Sequence, residues 1–402
     1  MKKYFSTAIK WLGKHWRGII SAIIIASLAA VTLGLQLSSL VPGQNQYETS
    51  TLKSIEQLPK PWNRAVNAPY TLPAYAIVKV VHNPLHGARI TSAILGLLAT
   101  VCFFYLLKLW FNARIAMVGS LLFITSSWLL HISHQAAPFI LLILAPLLIL
   151  LPLAWYLRTK KHKTLAFFLF AASLGVAAYV PYMLWILAAT LLVLIVREKI
   201  QLSYLKSWQI TIGALIYFIL LIPLFISLLG HPGQLRELLG IPAHLPTITQ
   251  YFSQFFHAIS MIMFHSQPLP EMHLGHMPML DIFSSAMFLL GIYYYFSRLP
   301  KRRSVIIFAS FIILLLVIPL SNTYQIAATV LLPLVYICII AGIVEILNQW
   351  FLYFPRNPLA RNIGVALIVV AIGFSSFYHL QSYFIAWPGS PQTKAVYMLK
   401  LE

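Results

Sequence analysis

Of 402 residues, 60% are hydrophobic and only 9% charged, where a soluble domain carries about 25% charged residues, so a soluble globular protein is excluded. The formal net charge of +20 does not mark a nucleic-acid-binding domain, because the Lys and Arg residues punctuate apolar runs instead of clustering on a polar surface. The two cysteines, Cys102 and Cys338, lie inside apolar runs and suggest neither a disulfide framework nor a metal signature.

The chain opens with a basic, amphipathic stretch over residues 1–17. The apolar run that follows is too long for a signal-peptide core and lacks a small-residue cleavage site, so it reads as a retained first span. A helix needs roughly 20 apolar residues to cross a bilayer. By that measure the chain is an all-α polytopic membrane protein of about eleven spans, at 18–41, 87–110, 114–133, 138–157, 164–180, 182–197, 209–230, 281–298, 304–320, 323–347 and 362–384. The fifth and sixth are short and joined by Val180-Pro181-Tyr182, which predicts a tight hairpin. Most of the Lys and Arg residues fall on the side of the amino terminus, which predicts a cytoplasmic amino terminus and an integral protein of the plasma membrane.

With that orientation the two long polar segments, and nearly all of the eight carboxylates, share the outer face. In the first segment, Thr49 or Ser50 is expected to cap a short helix with Leu52, Ile55 and Leu58 as its apolar stripe and Pro59 and Pro61 as its stop. Leu72–Val81 is too short to span and reads as a helix lying at the interface. The second segment, 231–280, starts amphipathic, becomes aromatic and ends in a His/Met/Pro-rich run. His257, His265, His273 and His276 lack regular ligand spacing, so a loop lining is favoured over a metal centre. Asp281 is expected to cap the eighth span. Glu345 reads as a solvated carboxylate near a helix end. The residues after 384 read as a short outer tail.

The order of features from residue 18 to about 158 carries a resemblance. A first span leads to an outer loop with an early carboxylate, then to NAPYTLPAYAIVKV, then to an arginine opening the second span in HGARITSAILGLLATVCFFYLLKLWF. This is similar to the membrane-embedded glycosyltransferases of the GT-C class, in particular the branch of protein O-mannosyltransferases and aminoarabinose transferases. The resemblance implies a GT-C-like membrane module over 18–230 with its first outer loop at 42–86. A large outer loop at 231–280, further spans at 281–384 and an outer tail at 385–402 complete the division.

It further implies a polyprenyl-phosphate sugar as donor and a glycan, lipid or protein as acceptor, at the membrane lipid surface and with no part for nucleic acid. Glu48 would be the catalytic base that activates the acceptor hydroxyl. Asn67 and Tyr70 match the ends of the family's proline motif. Asn67 stands where some relatives carry a phosphate-binding lysine, so Arg64, Lys79 or Arg89 would supply the charge facing the phosphate. His134 falls near the position of a family arginine, and Phe139 near that of a second carboxylate. No cofactor is required by this pattern, and a divalent metal is left open. Two other readings stand beside the transferase: a transporter or lipid flippase, and a non-catalytic relative that binds lipid-linked glycan.

Overall fold

The computed structural model describes residues 2–41, 43–57, 64–159, 161–198, 206–299 and 301–397, and the chain is built of helices. The first, α1 (Lys2–Gly34), leads to α2 (Gln46–Glu56) and α3 (Ala68–Val81). Then come α4 (Pro84–Trp110), α5 (Ala113–Thr125), α6 (Ser127–His134), α7 (Ile140–Arg158), α8 (Lys163–Ala177), α9 (Met183–Glu198) and α10 (Ser207–Gly230). The second long polar segment forms α11 (Gly233–Leu239) and α12 (Ile248–Met263). The remainder runs through α13 (Ile282–Phe296), α14 (Arg302–Val317), the single turn α15 (Tyr324–Ala327), α16 (Leu332–Tyr353) and α17 (Pro358–Gln381). A π-helical turn at Ser382–Ala386 leads to α18 (Trp387–Gly389) and α19 (Pro391–Tyr397).

Among the described residues, six helical segments are long and apolar enough to cross a membrane, or seven if α5 and α6, bent by 60°, form one broken span. The apolar stretch Gly18–Gly34, α8 and α13 are shorter. The expected spans fall on helical segments, with 114–133 broken into α5 and α6 and 323–347 into α15 and α16, and the protein is integral to a membrane.

α4 lies at the centre, packed by α1, α3, α5 and α7. α13 and α16 form the closest pair. A Cβ at Gly291 would lie 1.8 Å from the Cys338 carbonyl, and one at Gly342 2.0 Å from that of Met287. Glycine at both sites lets the backbones touch, the usual device for helix association in lipid, where no hydrophobic drive separates helix from tail.

The expected hairpin of the fifth and sixth spans does not form as a packed pair. α8 lies on α7 and α10, while α9 lies mainly on α14. The connection turns at Tyr182, whose φ is 67° and whose amide donates to the Leu238 carbonyl at 2.9 Å. The turn is thus tied to α11 and sends α9 away from α8.

The cap of α2 also differs from expectation. Asn45, one turn before Thr49, is the N-cap: its side chain accepts from the Glu48 amide at 2.9 Å, and the Glu48 carboxylate accepts from the Asn45 amide at 3.2 Å. This reciprocal capping box satisfies two free helix-end donors at once, which a lone Thr or Ser cannot do. The expected stop at Pro59 and Pro61, and Leu58 of the apolar stripe, lie outside the described residues. The helix buries Glu48, Thr51 and Ile55 on one face.

α12 carries the aromatic stretch of the second segment and leaves Ile248, Phe252, Phe256 and Ile259 exposed along one side. Glu345 is not solvated: it is buried, and accepts from Arg298 at 3.0 Å and Gln349 at 2.9 Å. Asp281 does cap α13, accepting from the Phe283 amide at 3.1 Å. Its other oxygen accepts from Ser375 of α17 at 2.8 Å, with His379 Nε2 at 3.4 Å.

Candidate active site

Helix α2 divides the residues singled out in the sequence into two groups. On its buried face, Arg89 reaches from the first turns of α4 and grips Glu48 with both arms, Nε to Oε1 at 2.9 Å and Nη2 to Oε2 at 3.0 Å. The same Nη2 donates to the Gly43 carbonyl at 2.8 Å. The Ala136 amide gives Glu48 Oε1 a further bond at 2.9 Å, so with the Asn45 amide four donors converge on one carboxylate. Glu48 is 0% exposed and Arg89 4%. Arg89 is therefore no snorkelling anchor at the membrane edge but one half of a buried ion pair.

His134 lines the same small cavity as this pair, with its Nδ1 donating to the Leu130 carbonyl at 2.8 Å. That cavity has a volume of about 20 Å³, room for one water.

The tail closes this group from the far end of the chain. Tyr397 of α19 is 2% exposed, and its hydroxyl accepts from Asn45 Nδ2 at 3.0 Å and from Gln135 Nε2 at 3.3 Å. Burial, with the Glu48 charge beside it, pushes the Tyr397 phenol above its ordinary value. Trp387 of α18 packs edge-on against His131, and its Nε1 donates to the Pro270 carbonyl at 2.8 Å. Residues read as a solvent tail thus belong to the core. Their aromatic content, in a segment otherwise short and polar, is the sequence signal that could have placed them there.

On the other face of α2 the structure opens. A polar cavity of about 260 Å³ is lined by Tyr47, Ser50 and Ser54 of α2, by Arg64 and Asn67, and by Phe139 and Glu237. A second, of about 310 Å³, shares Asn67, Phe139 and Glu237 and extends toward Tyr182, Gly240 and Asn322. A third, of about 490 Å³, shares Arg64 and Thr71 and is walled by apolar side chains including Leu72, Val176, Leu220 and Pro223. Arg64, shared by the first and third, donates to Oε1 of Glu237, shared by the first and second, at 3.0 Å. Both partners are solvent-accessible, with side-chain exposures of 59% and 37%.

Local folding sets this junction. Asn67 adopts φ 61°, the left-handed region that Asn tolerates better than other side-chain-bearing residues, and its amide donates to the Tyr179 carbonyl at 2.9 Å. The chain then enters α3 with Pro69 in the first turn, where a missing amide hydrogen costs nothing. Tyr70 is fully buried. Its hydroxyl donates to the Ala88 carbonyl and lies 3.0 Å from Ser92, which fixes α3 on α4. Lys79 is exposed over the Tyr75 ring at 4.4 Å and lines none of the cavities described. Glu237 escaped the sequence reading because α11 was recognised only as amphipathic. Gly240 ends that helix at φ 70°, and a Cβ there would lie 2.0 Å from the Tyr182 ring.

Residues 70–226 match the model of the dolichyl-phosphate-mannose-protein mannosyltransferase family. The structure is similar to ArnT from Cupriavidus metallidurans in the apo state, with a TM-score of 0.57 at 13% identity, covering 95% of this chain and 75% of that one. The chain carries the GT-C glycosyltransferase fold. ArnT bound to undecaprenyl phosphate gives a TM-score of 0.55 at 12% identity, over 94% of this chain and 75% of ArnT. The archaeal oligosaccharyltransferase AglB from Archaeoglobus fulgidus, in complex with an inhibitory peptide and a dolichol-phosphate, gives 0.55 at 15% identity. That match covers 96% of this chain and 56% of AglB, so the chain spans little more than half of the archaeal protein. No curated protein sequence matches.

The GT-C resemblance leaves a divalent metal open, and such an ion needs several converging oxygen or nitrogen ligands. Among the described residues no group of three or more His, Cys, Asp or Glu side chains converges. Phe139, near the family's second carboxylate position, presents a ring to the cavities. These residues do not fit a divalent ion.

Proposed function

We propose that the chain is a glycosyltransferase that moves a sugar from a polyprenyl-phosphate donor to an acceptor hydroxyl at the outer face of a plasma membrane, its amino terminus cytoplasmic. One arrangement carries this reading: an apolar groove and a polar cavity meet at the Arg64–Glu237 pair. The groove suits a polyprenyl chain, the hydroxyl-lined cavity suits a sugar, and the guanidinium at their junction suits the phosphate between them. The orientation is supported by the distribution of Lys and Arg, and the donor class by the lipid phosphates bound to ArnT and AglB.

The strength of the two ion pairs favours one carboxylate over the other as base. An exposed pair such as Arg64–Glu237 is worth about 0–1 kcal/mol and opens readily when a phosphate competes for the guanidinium. Breaking a buried pair such as Glu48–Arg89 costs about 3–5 kcal/mol, and Glu48 has its lone pairs already occupied. Glu237 is therefore proposed as the base and Arg64 as the phosphate ligand. The acceptor oxygen attacks the anomeric carbon and its proton passes to Glu237. The bond from that carbon to the phosphate oxygen breaks, and the electron pair leaves with the polyprenyl phosphate, its charge met by Arg64. Glu48, expected from sequence to be the base, becomes the residue that positions α2 and its cavity-lining face.

The test is transfer from radiolabelled polyprenyl-phosphate sugars by the full chain in proteoliposomes. Loss of transfer in Glu237→Gln with donor binding retained supports the assignment; undiminished transfer overturns it. The non-catalytic reading has one observation in its favour, the ring of Phe139 near the position of a carboxylate. Saturable donor binding with no turnover by the unaltered protein would establish it.

A further inference from the structure

At the opposite end of α4 from Arg89, a separate cavity of about 290 Å³ lies among α4, α7 and α14. Leu109, Leu150, Leu153, Leu157 and Ile306 wall it, and its charged lining residues are Arg158 and Arg303. Arg303 is fixed in place: Nη1 donates to the Trp110 carbonyl at 3.1 Å, Nη2 to the Tyr294 hydroxyl at 3.0 Å, and its guanidinium carbon lies 5.0 Å from the Phe111 ring centroid. Two of its five N–H donors are thereby used and three remain. Arg158, the last residue of α7, is exposed and has no hydrogen-bond or ion-pair partner among the described residues. Among the described residues no carboxylate lines the cavity.

We propose that this cavity binds one anionic phospholipid, with its phosphate on Arg158 and Arg303 and the start of an acyl chain along the leucine wall. The charge argues for an anion, because two guanidiniums sit at an apolar surface with no counter-charge beside them, and a phosphate accepts their paired N–H groups in the geometry they offer. The walls argue for a lipid over a free phosphate, since an inorganic anion leaves the apolar surface unfilled. Basic clefts between helix ends take anionic headgroups by this combination. Position separates the site from the donor cavity. From Arg89 to Trp110 the helix rises roughly 32 Å at 1.5 Å per residue, about the thickness of the hydrocarbon core. The cavity therefore opens to the other leaflet, and the proposal does not depend on the transferase reading.

Native mass spectrometry of the full chain from detergent, titrated with phosphatidylglycerol, phosphatidylcholine or inorganic phosphate, tests it. The expected result is one retained phosphatidylglycerol, at least fivefold preferred over phosphatidylcholine and not displaced by inorganic phosphate. Arg158→Gln should reduce that retention at least fivefold, and Arg303→Gln further. Should Arg303→Gln fail to fold, Arg158→Gln, an exposed substitution, decides alone. Equal retention of the two lipids, or unchanged phosphatidylglycerol retention in Arg158→Gln, overturns the proposal. Displacement by inorganic phosphate assigns the site to a free anion and equally overturns it.

Discussion

Arg89 holds both carboxylate oxygens of Glu48, at 2.9 and 3.0 Å, across 41 positions of sequence and out of contact with solvent. The pair joins the first polar loop to α4, and through the Ala136 amide to the link between α6 and α7. Glu48→Gln removes the charge but leaves the guanidinium buried. A loss of about 3–5 kcal/mol in stability is expected, from the penalty of an unpaired buried ion. Thermal unfolding in detergent checks this, and wild-type stability with transfer abolished would instead return Glu48 to a catalytic role.

Arg64→Gln and Glu237→Gln should behave in the opposite way. Both side chains are well solvated, so stability should change by less than about 1 kcal/mol. Transfer should fall by about 10²-fold or more for Glu237→Gln, the usual range for losing a general base. Measuring transfer and unfolding on the same preparations separates this pair from the buried one.

The closing segment gives a graded prediction. Tyr397→Phe removes the acceptor of Asn45 Nδ2 and should cost about 0.5–1.5 kcal/mol. Trp387→Ala empties a buried indole site and should cost about 3–5 kcal/mol. Denaturant or thermal midpoints, compared with those of the parent chain, would show both.

Gly291→Ala should separate α13 from α16, because the added methyl would fall on the Cys338 carbonyl, a backbone atom with nowhere to move. A marked drop in folded yield is expected, while Gly373→Ala, with open space around it, should be tolerated. Size-exclusion profiles of the two variants provide the comparison.

Acid should destabilise the protein through His273. Burial, with His276 nearby, pulls His273 down to about 4, so the folded state releases a proton that the unfolded chain holds below its ordinary value of about 6.5. Stability from that site is complete above about 6.5 and is lost as pH falls toward 4. Unfolding midpoints between pH 7 and 3 should show this loss. His273→Gln should flatten it.

The helices and their order were legible because each span is a continuous apolar run and lipid admits no other way to satisfy its backbone. The interfacial helix after NAPY was legible too, from its length and its proline. The N-cap of α2 was written as Asn45-x-x-Glu48 but was read one turn late, since Thr49 and Ser50 offered an equally local signal. The hairpin of α8 and α9 was inferred from a short connection. Loop length cannot report that Tyr182 is tied to Leu238 and turns the chain toward α14.

What the sequence alone determined is a membrane protein of this fold type whose scarce carboxylates gather in its long polar segments. Which carboxylate faces an open, solvent-accessible cavity was decided only by tertiary structure. Glu48 and Glu237 are alike as residues in polar segments. Packing buries one against Arg89 and leaves the other at an open junction with Arg64. Both partners are distant in sequence, and the cost of desolvating a charge depends on what surrounds it in space.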